Sequence, residues 1–274
     1  MSLMSPSNIA ADVANDLRTG VPARRTLDLR AIVADPSWPT TFASYLTPLD
    51  VDGTSFDAVT ITATGTPVDV VAESAQKPNA AQVTVTTTTL KKHAGRATFT
   101  LEASLSAAGL TGAVYNALAG QALSSMETDI VSVLGGSNGH GYPTADAAAY
   151  IQGILEAQGK IMAAGGNPSL IAVSPADVAK LGSTMMNARP EVGMSDRVWG
   201  GARIHVTAAL AAGNAMVLDP NGATLAVNVD SPAVIVDPYT RSSHNETTIT
   251  VDLLAGCVLT VPELVVPVSH VPAK

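Results

Sequence analysis

Residues 135–140, Gly-Gly-Ser-Asn-Gly-His, carry the residue types best suited to covalent chemistry. Gly135, Ser137 and Gly139 satisfy the G-x-S-x-G spacing of serine hydrolases, and His140 stands close by as a base. That chemistry needs a strained strand-to-helix turn that lifts the hydroxyl above a sheet, within reach of an imidazole. Here the motif follows a long helical pattern, so its context is inverted. The spacing therefore predicts an ordinary loop serine, and a hydrolase built on Ser137 stays a minor alternative that fluorophosphonate labelling would test.

The other reactive types are scattered. His93, His140, His205, His244 and His270 have no i, i+4 partner and no carboxylate at metal-ligand spacing, so they read as surface or interface histidines. Asp50-Val51-Asp52-Gly53 begins like a calcium loop, but Ile61 stands where the bidentate Glu belongs. No phosphate-binding G-x-x-x-x-G-K-[ST] occurs, and Asn245-Glu246-Thr247, formally a glycosylation acceptor, reads as strand sequence. Cys257 is the single cysteine, which excludes an intramolecular disulfide, fits a reducing compartment and reads as a small buried hydrophobe. The sequence thus predicts no catalytic residue, no cofactor site and no metal site.

Bulk properties narrow the classes further. The 274 residues are 46% hydrophobic but only 4% aromatic, so the apolar mass is Ala, Val and Leu, and a chain of this kind can bury surface against copies of itself. A net charge of −8 without a Lys/Arg block argues against tight nucleic-acid binding. The most apolar stretch, 253–268, contains Pro262, Glu263 and Pro267 and is too short to span a bilayer. The start, MSLMSPSNIAADVANDLR, lacks basic and apolar signal regions, so a cytosol-like site of synthesis is expected.

Residues 1–48 mix a short helical pattern (Ile9, Val13, Leu17) with proline-rich TGVPARR and DPSWPTTF, which predicts an extended arm. VTITATG, PVDVVAE and QVTVTTTTL are β-runs around the tip SAQKPNAA. In the last, Val83, Val85, Thr87 and Thr89 share one face while Thr84, Thr86 and Thr88 share the other, so neither face can build a core. Nine such residues reach about 30 Å, and an isolated ribbon is marginal in water, so a partner surface on another chain is predicted. After the basic step Lys91-Lys92-His93, Arg96 to Glu102 alternates as a half-buried strand, with Ala97, Phe99 and Leu101 inward.

Leu110, Val114, Leu118, Ala122, Met126, Ile130 and Leu134, closed by Gly135-Gly136, predict one helix over about 109–134, near 37 Å long. A second pattern follows: a helix over 144–164, the buried strand NPSLIAV, and SPADVAKL with Ser174 as N-cap, Pro175 first and Asp177 in the first turn. Residues 187–201 read as a long loop. The remainder reads as β: RIHV, NAMVL, TLAVNV, AVIV, then HNETTITVDLL with Thr247, Ile249, Val251 and Leu253 on one face, and CVLTVPELVVPV.

Arm, ribbon, strand, long helix, compact α/β unit and returning strands, in that order, resemble the major capsid proteins of tailed bacteriophages, the Hong Kong 97-type fold, over essentially the whole chain. VAESAQKPNAAQVTVTTTTLKKHAGRATFT is similar to that family's projecting ribbon, the E-loop, with its return through Lys91-Lys92-x-Ala94-Gly95. PSLIAVSPADVAKL looks like the strand and helix of its axial A-domain, RIHVTAALAAG followed by NAMVLDPN like a segment of the same domain, and TITVDLLAGCVLTVPELVVPV like the strands closing its peripheral P-domain. Ala208 and Ala211 stand where prolines are common in the family, and Asp252 where basic strands are usual.

The resemblance implies an α+β fold: an N-terminal arm over 1–48, an extended β-hairpin E-loop over 49–95, and a P-domain over 96–143 holding a spine helix. It then implies an A-domain over 144–239, P-domain return strands over 240–260, and an A-domain return over 261–274. It implies E-loop contacts between subunits at Glu73, Gln76, Lys77, Lys91, Lys92 and Arg96, and contacts about the capsomer axis at Arg189, Glu191, Asp196, Arg197 and Trp199. Lys77, Lys91 and Lys92 are available for the crosslink to a neighbour's asparagine that some members form. The implied partners are copies of the chain in pentamers and hexamers, a separate scaffolding protein or none, portal and decoration proteins, and packaged double-stranded DNA bound without sequence specificity; no membrane is involved. The implied place is the virion, after assembly in the bacterial host cytoplasm. An encapsulin shell around a cargo enzyme is the nearest alternative, and another virion or surface β-protein such as an adhesin is a further one.

Overall fold

The computed structural model describes residues 23–26, 29, 41–46, 48–63, 80–100, 102–103, 110–143, 146–179, 181, 198–199 and 201–270. The strands of the first part are β1 (Ala23–Thr26), β2 (Pro48–Val51), β3 (Ser55–Ala63), β4 (Ala81–Thr89) and β5 (Lys91–Thr100), followed by the helix α1 (Leu110–Leu134). Then come β6 (His140–Tyr142), the helix α2 (Ala147–Ala163), β7 (Leu170–Val173), β8 (Val198–Trp199) and β9 (Ala202–Val206). The rest is β10 (Ala215–Leu218), β11 (Ala223–Asn228), β12 (Ala233–Asp237), β13 (Glu246–Leu259) and β14 (Val265–His270). The fold class is α+β, as the sequence predicts. Two compact units form, one from Met1–Phe56, Thr89–Ile130 and Leu225–Gly256, the other from Asp57–Thr88, Val131–Thr224 and Cys257–Lys274.

The first unit is organised by β13. Its alternation puts Thr247, Ile249, Val251 and Leu253 inward, all buried. β5 pairs antiparallel along it, setting His93, Gly95, Ala97 and Phe99 opposite those four residues. β12 takes the other edge of β13, with Ala233 opposite Asp252, and β1 in turn pairs with β12. β11 also joins this sheet, so residues that chain order alone would group with the preceding α/β segment serve as strands beside β13. Parts of the expected extended arm are built in as well: β1 is a sheet strand, and Phe42 and Leu46 are buried.

α1 covers the inward face of β5. It has the 25 residues that the spacing predicts, and its buried side includes Tyr115, Leu118, Ala119, Ala122, Leu123, Met126 and Ile130. Every fourth residue overruns the helical period by about 40°, so a stripe read in steps of four must drift round the helix. This is why Tyr115, Ala119 and Leu123 join the buried face while Leu110 and Val114 are only half-buried.

The second unit holds a sheet in the order β6-β14-β10-β7-β9-β8. Every residue of β7 and β10 is buried, the signature of central strands covered on both faces. α2 packs on this sheet through Tyr150, Ile154, Ala157 and Ile161. Its start is fixed by Asp146, whose Oδ1 accepts from the Ala149 amide at 2.7 Å. After β7, Pro175–Asp177 forms a 3-10 turn with Ser174 at the capping position.

Candidate functional site

Among the described strands β3 and β4 pair only with each other, as a two-stranded ribbon. All but one of the β4 residues are exposed, on both faces. Val83 and Val85 are 61% and 62% exposed, and Val59 and Ile61 of β3 are 42% and 37% exposed. β-branched side chains favour the extended backbone, but among the described residues nearly all of β4 is left uncovered.

The base of the ribbon, by contrast, is fastened. The Ile61 amide donates to the Thr260 carbonyl at 2.7 Å, and Thr60 Oγ1 donates to the Leu259 carbonyl at 3.0 Å. Within the ribbon Thr87 Oγ1 donates to Asp57 Oδ1 at 2.8 Å. Where the chain leaves β4, the Leu90 amide donates to the Thr54 carbonyl at 2.8 Å, and the Leu90 side chain packs with Val51, Ala226, Phe56 and Leu254.

The residues suited to covalent chemistry do something else. Ser137 Oγ lies 3.0 Å from the Leu134 carbonyl and 2.8 Å from the Val265 carbonyl, so the hydroxyl donates to backbone oxygens. His140 Nε2 contacts Glu156 Oε2 at 2.6 Å. Hydrogen bonds from Gln152 first and His140 second hold the Glu156 carboxyl below its ordinary range. The pattern of a nucleophile touching its base is not formed. Among the described residues no cluster of three or more His, Cys, Asp or Glu could hold a metal, and no helix is long and apolar enough to cross a membrane. His93 and His205 are buried within the subunit, where the sequence read them as surface or interface histidines; in a strand both side chains follow the inward register of their neighbours. Cys257 is buried, as expected.

No protein-family model matches the sequence, and no curated protein matches it either. Solved structures do match in fold. A virus-like particle from Pyrococcus furiosus aligns at 10% identity over 96% of this chain and 98% of its own, with a TM-score of 0.62. A structure from Mycobacterium phage Bobi aligns at 16% identity over 91% of this chain and 96% of its own, with a TM-score of 0.59. The capsid of cyanophage P-SCSP1u aligns at 10% identity over 86% of this chain and 90% of its own, with a TM-score of 0.62. The fold is that of the tailed-phage major capsid proteins.

On this capsid fold the expected contact residues separate into groups. Glu73, Gln76 and Lys77 lie outside the described residues, as do Arg189, Glu191, Asp196 and Arg197. Trp199 belongs to β8, the edge strand of the second unit's sheet, paired with Ala202 of β9. Lys91 and Lys92 belong to β5 rather than to a step before it, and they point to opposite faces. Lys91 Nζ pairs with Asp129 of α1, and Lys92 Nζ reaches Asp252 of β13 at 2.9 Å. Both ammonium groups thus have acidic partners inside the subunit. Arg96 is exposed on the same face as Lys92. Sequence spacing could not reveal Asp129 and Asp252, because each meets its lysine only after the helix and the return strand have packed.

Proposed function

We propose that the chain is the shell-forming subunit of a bacteriophage head. In this reading copies assemble into pentamers and hexamers about the segment 187–201. The N-terminal arm and the ribbon tie neighbouring copies into a closed icosahedral shell around double-stranded DNA, formed in the bacterial host cytoplasm with separate scaffolding and portal proteins. The function is structural and has no catalytic step. The observation that carries the reading is the β3–β4 ribbon: a capsid-fold chain fastens its base and leaves both faces of β4 open. β-Branched residues on an unsupported two-stranded sheet need a covering surface, and a neighbouring copy supplies one at every position of a shell. The net charge of −8 fits a container that holds DNA without gripping phosphate.

Sedimentation and negative-stain microscopy of the full chain, alone and coexpressed with its scaffold, test this. Closed megadalton particles, or rings of five and six, are the expected result. A monomer under every condition, scaffold included, would overturn it. Closed shells that carry a copurifying enzyme and no DNA would assign the chain to a nanocompartment instead.

A further inference from the structure

β5 lies along α1 as a ladder. Lys91 pairs with Asp129, His93 Nδ1 is 2.9 Å from Ser125 Oγ, and a Cβ added at Gly95 would meet Leu118 Cδ2 at 3.1 Å. Two strand residues advance about 6.7 Å and four helical residues about 6 Å, so the step from Lys91 to His93 matches the one turn from Asp129 to Ser125, and Gly95 meets Leu118 two turns further along α1. The central rung is an imidazole only 7% exposed. One of its nitrogens faces Ser125, while Nε2 is buried without a hydrogen-bond partner among the described residues.

We infer that His93 is an acid-sensitive joint between β5 and α1: the neutral ring holds strand to helix, and protonation loosens them. A neutral imidazole satisfies Ser125 with one nitrogen and leaves the other as a small buried cost. An imidazolium must place a charge and two N–H donors in the same space, and among the described residues one donor then has nothing to receive it. The charged groups beside the ring are Asp129 from α1 and Lys91 from β5, which pair with each other and so largely cancel. β13 presents the apolar Leu253 opposite His93.

Burial accordingly holds the imidazole below its ordinary value, against the upward pull of Asp129 and with the downward push of Lys91. The sign follows from linkage. Near neutral pH both folded and unfolded chains carry the ring neutral, and His93 contributes no pH dependence. As pH falls through about 6.5, the unfolded chain takes up a proton that the folded chain refuses, so stability declines. The decline levels off once the folded ring is also protonated.

The test compares melting temperatures of the full chain and of His93→Gln at pH 7.5 and pH 5.0. Gln keeps a hydrogen-bonding group but cannot titrate, and the pH effects of all other groups are common to both. Wild type is expected to lose at least about 2 °C more than the variant on acidification; equal losses would overturn the inference. Should His93→Gln fail to fold, Asp129→Asn serves, because removing the compensating carboxylate makes the acid loss steeper, and a shallower loss would count against the joint. Hydrogen exchange, corrected for its intrinsic pH dependence, locates the effect. Peptides over 91–100 and 118–130 are expected to lose protection at pH 5.0 while one over 170–173 does not, and uniform loss would overturn the assignment to His93.

Discussion

The carboxyl of Asp177 is fully buried and accepts two hydrogen bonds of 2.7 Å, from Ser174 Oγ and from the Gly213 amide. Tyr142 Oη donates to the Gly213 carbonyl at 2.6 Å, so side chains hold both peptide groups of a glycine whose φ is +82°. This locks the left-handed turn that delivers the chain into β10. Asp177→Ala is expected to destabilise by about 3 kcal/mol, because it strands a buried amide, whereas Asp177→Asn, which keeps one acceptor oxygen, costs less. Urea unfolding distinguishes the two. At Ser137 the loss is smaller: Ser137→Ala removes one hydroxyl-to-carbonyl bond, about 1 kcal/mol, and leaves assembly intact. Fluorophosphonate is expected to leave wild-type Ser137 unlabelled; stoichiometric labelling would reopen the hydrolase reading. From the sequence Asp177 is legible only as an acid in a first helical turn, since its partner Gly213 belongs to a distant loop that tertiary packing brings to it.

Among elements, α1 was the most legible, because its alanines, its unbroken apolar pattern and the double-glycine stop all depend on neighbours in sequence. β5 was less so. The pair Lys91-Lys92 reads as a polar break, but strand alternation sends one lysine to each face, where Asp129 and Asp252 wait. Charge reversal of both lysines is therefore expected to weaken the subunit itself, by about 1 kcal/mol given their exposure, and less so at high salt. Denaturant titration at two ionic strengths checks this on unassembled chain. Where β5 crosses α1 the approach is close: Gly95→Val must displace Leu118, at a cost of about 2 kcal/mol. The ribbon's end was also misjudged by pattern, for Leu90 closes the Thr-rich run yet belongs to the core around Val51 and Ala226. A ribbon deletion must stop short of it. Replacing residues 62–85 with a short Gly/Ser turn is expected to leave circular dichroism outside the cut nearly unchanged while abolishing shells; unfolding, or normal shells, would each contradict an intersubunit ribbon.

For the whole molecule, the order of the described elements along the chain was readable, because the ribbon strands, the long helix and the return strands each have a distinct local pattern. Which strands share a sheet was not, since β11 and β12 pair with β13 through register rather than through any local signal. In the proposed shell role, the bare ribbon has a consequence for subunits that have not yet assembled. Val59, Ile61, Val83 and Val85 then face water on a flat, unprotected β-surface, the kind of template on which strands from other chains stack into fibres. Closing a shell and growing a cross-β aggregate are rival fates for the same surface. The threonines that alternate with the valines tilt that contest, since hydroxyls at Thr84, Thr86 and Thr88 keep one face wet and deny a stack its dry interface. Thr84→Val with Thr86→Val should leave the fold unchanged yet shorten the lag before thioflavin-positive aggregates form. If the chain builds the proposed shell, the threonine-rich faces of β4 have a meaning apart from contacts in it: they set how long a newly made subunit can wait for its neighbours.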